Sequence, residues 1–144
     1  MSPRPAATAL EAAIQALARR DLSAAELDAR LERAGVSAEE RAVTLARLVD
    51  AGYLDDARVT GERVRVLAVR GWGDAAIRHD LARRGVAGGL VQGALEAVGD
   101  EADRARELVG RLGRGPKVAR ALARKGFSSE TIERVLGPIV AEPP

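Results

Sequence analysis

Three short segments of this chain repeat one another, and an internal repeat limits a fold more tightly than composition does. They read "ELDARLERAGV", "AIRHDLARRGV" and "VARALARKGF". Leu27, Leu31, Gly35 and Val36 are spaced like Ile77, Leu81, Gly85 and Val86, and like Val118, Leu122, Gly126 and Phe127. An arginine stands two residues before each glycine, at Arg33, Arg83 and Arg124. A leucine stands ten residues after it, at Leu45, Leu95 and Leu136. The glycines are 50 and then 41 residues apart.

The pattern has a direct physical meaning. Apolar residues four apart share one helix face. The glycine ends the helix in the left-handed conformation, and the apolar residue after it folds back on the helix end. A second helix then begins. Ser23 with Glu26 and Ser37 with Glu40 have the spacing of capping boxes, and Asp74 and Ser128 suit the N-caps of the corresponding helices. A further helix precedes each pair: "TALEAAIQALARR", "DARVTGERVRVLAVR" and "EADRARELVGRLG". No stretch alternates with period two, so no strand is expected. The expectation is an all-α fold of about nine helices in tandem three-helix repeats. The repeats would span residues 10–54, 55–99 and 100–139, with tails at 1–9 and 140–144. Units this small bury little alone, so neighbours must stack into an elongated array that can curve.

The stretch "AGYLDDARV" falls at the first join. Gly52 reads as a C-cap, with Tyr53 and Leu54 packing back on the helix it ends. Asp55 or Asp56 caps the next helix, and both carboxylates suit the positive end of its dipole. The stretch is therefore a joint before it is a binding site.

Composition excludes several functions. The chain has no Cys, so it has neither disulfides nor a Cys-based zinc site. Its one histidine, His79, points away from the apolar face of its helix and has no second ligand of its kind. Aromatics make up 2% of the residues, so Ala, Leu and Val must build the core, and Trp72 in "RGWGD" either anchors the packing of the second repeat or stacks on a base or partner residue. "GRGPK" lacks the spacing and the Ser/Thr of a phosphate-binding loop. No nucleophile–base constellation can be assembled, so no enzyme activity and no cofactor are expected. No apolar run has the length of a signal peptide or a membrane span, which fits a cytoplasmic protein. No heptad seam is present, which fits a monomer.

Charge is uneven. Between Arg19 and Asp56 six Arg face nine Asp/Glu, a net of −3; between Ala57 and Lys125 fifteen Arg/Lys face eight Asp/Glu, a net of +7. A basic region of this kind attracts nucleic acid or an acidic protein groove. The candidate contacts are Arg63, Arg65 and Arg70 on the helix after the joint, Arg78, Arg83 and Arg84 on the next, and Arg120, Arg124 and Lys125 in the third repeat. Arginine suits bidentate pairing with carboxylate or phosphate. Arg33, Arg83 and Arg124 also stand where a cation favours a helix C-terminus.

These segments resemble a known family. "RRDLSAAELDARLERAGV", "LARLVDAGYLDDARV", "RGWGDAAIRHDLARRGV" and "LARKGFSSETIERVL" are similar to RecX, the bacterial regulators of the RecA recombinase. The likeness runs from about residue 10 to 136. Its most specific element is Gly52, Tyr53, Leu54, Asp55 and Asp56 followed by Arg58. The run from Gly73 to Val86 supports it. The resemblance implies a non-enzymatic protein that binds RecA filaments on single-stranded DNA. Such proteins lodge in the helical groove and inhibit filament growth, ATP hydrolysis, strand exchange and co-protease activity toward the SOS repressor. The chain departs from the family after Arg58, where Val59 and Thr60 stand in place of the usual Phe and Ala. Two readings of other classes stay open: a helix-turn-helix-like DNA-binding regulator, and a helical scaffold that binds neither RecA nor DNA.

Overall fold

The computed structural model describes residues 8–138. Nine helices run through them and no strand: α1 (Ala9–Arg19), α2 (Ala24–Arg33), α3 (Ala38–Asp50), α4 (Asp56–Val69), α5 (Asp74–Arg83), α6 (Gly88–Ala97), α7 (Glu101–Leu112), α8 (Pro116–Arg124) and α9 (Ser129–Leu136). The fold class is thus the all-helical one that the 3.6-residue periodicity demands. The described residues fall into two compact units. The first holds residues 8–59 and 84–86, and the second holds 60–83 and 87–138. The division cuts α4 between Val59 and Thr60.

In the first unit α1, α2 and α3 pack on one another. Their shared core is Ala13, Ala16, Leu22, Leu27, Leu31, Leu48 and Leu54. In the second unit α7, α8 and α9 enclose Ala102, Ala105, Leu108, Leu122, Phe127 and Ile132. There α5 packs on α6, burying Ile77, Leu81, Val91 and Leu95. Each fully buried Leu or Ile contributes about 1.5–3 kcal/mol. The many alanines let helices approach closely but add little area, so the long aliphatic side chains supply most of the burial.

The helix ends follow the sequence pattern with three corrections. Gly35, Gly85 and Gly126 all adopt positive φ, at 87°, 74° and 95°. The amide after Gly35 returns to the Leu31 carbonyl, and the amide after Gly126 returns to that of Leu122. Ser23 and Glu26 form a full capping box. Ser128 caps α9 through the Thr131 amide, at 3.1 Å. Ser37 accepts the Glu40 amide, but no returning bond from Glu40 accompanies it, so α3 has half a box. Asp74 is not a cap: it is the first residue of α5, and its carboxylate pairs with Arg104. Tyr53 does not pack back on α3. Tyr53 is 57% exposed, while Leu54 takes the buried place at 3%. The Tyr53 and Leu54 amides both reach the Leu48 carbonyl, and it is Leu54 that this turn places in the core of the first unit.

Candidate functional site

The joint motif is resolved residue by residue. Asp55 caps α4 by accepting the Arg58 amide at 3.1 Å. Asp56 turns to another helix. Its Oδ1 accepts the amide of Ala24, the first residue of α2, at 2.8 Å. Arg58 grips Asp21 with two hydrogen bonds of 3.2 and 3.0 Å. The "LDDAR" stretch therefore caps two helices and pins the turn before α2. Close by, the Ser23 hydroxyl donates to the Arg84 carbonyl at 2.6 Å. A Cβ on Gly85 would come within 2.5 Å of the Ala25 Cβ.

The second unit repeats this device with other residues. Glu101, the first residue of α7, is placed like Asp56. Its Oε1 accepts the amide of Asp74, the first residue of α5, at 2.8 Å. Its Oε2 accepts the Thr131 hydroxyl at 2.5 Å and the Ser128 hydroxyl at 3.2 Å. The Gly73 amide donates to the Lys125 carbonyl at 2.7 Å. A Cβ on Gly73 would lie 2.3 Å from the Gly126 carbonyl carbon. In both units an acid at the start of one helix caps an earlier helix, and a glycine permits the close approach beside it. Periodicity does not reveal these long-range caps, because the partners are 32 and 27 residues apart.

The structure sorts the nine basic candidates. Arg63 is half-buried and forms two 3.0 Å hydrogen bonds to the carboxylate of buried Asp80, so it holds α4 to α5. Arg78 is exposed, with one bond of 2.7 Å to Gln92. Arg84 is half-buried, and Glu26 lies 3.8 Å from its guanidinium. Lys125 is also half-buried. Arg65, Arg70, Arg83, Arg120 and Arg124 are exposed.

Arg120 and Arg124 belong to a larger feature. Between Arg111 and Lys125 the chain has six cations and no acid: Arg111, Arg114, Lys117, Arg120, Arg124 and Lys125. On α8, Lys117, Arg120 and Arg124 are exposed, while Ala119 and Leu122 are buried opposite them. At 100° per residue these three cations occupy a stripe about 60° wide and about 10 Å long. Such a stripe matches the charge of a polyanion and needs no pocket. Lys117 and Arg111 are additions to the nine candidates, and the acid-free run is the sequence signal that marks them. Among the described residues no group of three or more His, Cys, Asp or Glu could hold a metal. No helix among them is long and apolar enough to cross a membrane.

Comparison with known proteins fixes the ancestry. Residues 55–95 match the family model for the second three-helix domain of RecX. A regulatory protein RecX of Stenotrophomonas maltophilia (strain R551-3) is 33% identical over 137 residues, covering 88% of this chain and 84% of that protein. The chain belongs to the RecX family. A RecX of Chromohalobacter salexigens is 36% identical over 139 residues, covering 90% of this chain and 91% of its own. The crystal structure of RecX from Lactobacillus salivarius superposes with a TM-score of 0.77 at 18% identity, covering 88% of this chain and 91% of that one. That likeness establishes the RecX fold. The matched span of the family model begins at Asp55, so the two-helix cap at Asp55 and Asp56 opens the RecX second domain.

Proposed function

We propose that this protein binds RecA and its filaments on single-stranded DNA, and inhibits their recombinase, ATPase and co-protease activities. It would thereby modulate recombination and the SOS response. The observation that carries this reading is the near full-length similarity to proteins named regulatory protein RecX. The protein acts by occupying a surface rather than by chemistry, without a cofactor, as a cytoplasmic monomer built of three helical repeats. The recurrence of one capping device at Asp56 and Glu101 supports the repeat division. The exposed stripe of Lys117, Arg120 and Arg124 supports docking on an anionic filament, with weak and salt-sensitive binding to free nucleic acid.

Co-sedimentation tests the reading. Filaments of RecA from the same organism, assembled on single-stranded DNA with a slowly hydrolysed ATP analogue, are predicted to carry the protein into the pellet, whereas RecA-free DNA carries far less. Retention on a particular duplex sequence, with none on filaments, would instead favour the DNA-regulator reading.

A further inference from the structure

We propose that an open cleft in the second unit receives an acidic peptide segment bearing an apolar side chain. The cleft has a volume of about 760 Å³ and is lined by the last turns of α4, the end of α6 and one face of α7. Leu108, 7% exposed, belongs to its lining and to the core beneath it. Val69 lines it at 83% exposure, the most exposed of the large aliphatic residues described. With Ala68, Ala97 and Val98 beside them, Val69 and Leu108 give the cleft an apolar lining that an aliphatic side chain of a partner can cover.

Charge selects the occupant. Three arginines line the cleft, Arg65, Arg104 and Arg111. Arg104 is already committed to the Asp74 carboxylate and the Gly99 carbonyl. Arg65 and Arg111 make no hydrogen bond or ion pair among the described residues. Two forked donors beside an apolar lining suit carboxylates flanking an aliphatic side chain. A nucleic acid fits less well, because none of the three aromatic residues lines the cleft for base stacking. Such a contact stands apart from binding to RecA and can be tested without RecA.

Fluorescence anisotropy of a short end-labelled peptide alternating Glu with Leu provides that test. The peptide is expected to bind in a salt-sensitive manner, and its Gln-for-Glu counterpart to bind at least about tenfold more weakly. Arg65→Glu with Arg111→Glu should weaken binding about tenfold or more, and Val69→Ser about threefold. Glu107→Gln should strengthen it about threefold, a gain that misfolding cannot produce. Arg30→Glu with Arg47→Glu makes the same charge change on the first unit and should leave binding unchanged. The proposal is overturned if the acidic peptide does not bind, or if the Arg65/Arg111 variant keeps its helical circular dichroism and its full affinity. It is also overturned if that variant loses affinity for labelled oligo-dT but not for the peptide.

Discussion

Thr60 is fully buried on α4, yet its hydroxyl has no hydrogen-bond partner. A buried hydroxyl left unpaired costs about 1–3 kcal/mol. Thr60→Val keeps the shape and removes the orphan group. We predict a gain of about 1 kcal/mol in urea unfolding; equal or lower stability would show that the hydroxyl finds a partner in solution. Glu101 is the opposite case, an 8% exposed carboxylate with donors on both oxygens. Glu101→Ala strands these donors and should cost about 3 kcal/mol. Glu101→Gln keeps one acceptor oxygen for the Asp74 amide and should cost about half as much. Equal losses for the two would mean that the carboxylate charge, not the hydrogen bonding, carries the effect. At Gly73 the constraint is room. A Cβ there meets backbone at 2.3 Å, so Gly73→Ala must shift the main chain at Gly126. A loss of about 3 kcal/mol or more is expected in thermal unfolding, and a loss under about 1 kcal/mol would contradict the packing.

At the scale of helices, the sequence foretold some features and was silent on others for physical reasons. Helix existence, the glycine C-caps and the Ser23 box depend on contacts within a few residues, which spacing reports. The Asp56 and Glu101 caps join residues distant in the chain, so no window of sequence contains them. Asp74 has the residue type of a cap, but a stronger partner, Arg104, takes its carboxylate. The basic candidates divided likewise. Local counting singles out Arg120 and Arg124, which are exposed, whereas the pairing of Arg63 with Asp80 spans 17 residues and two helices. The α8 stripe carries an element-scale prediction. Lys117→Glu, Arg120→Glu and Arg124→Glu together reverse three exposed charges and spare buried Ala119 and Leu122. Affinity for RecA–DNA filaments should fall about tenfold or more at low salt, while helical circular dichroism is retained. Unchanged co-sedimentation would remove α8 from the docking surface.

At the scale of the whole molecule, family membership and charge point the same way. The chain is nearly neutral in total, at +2, but its acidic and basic regions are segregated along the sequence. Segregated charge orients a protein on a charged partner and makes association depend on ionic strength. Buried Ser23, Asp80, Glu101 and Thr131 serve as caps and interhelical ties. The most direct test of that account is single-stranded-DNA-dependent ATP hydrolysis by RecA of the same organism, with this protein titrated in. The account predicts inhibition that deepens with added protein, weakens with salt, and is reduced in the Lys117/Arg120/Arg124 charge-reversal variant. Undiminished hydrolysis in the presence of a folded excess of the protein would contradict it.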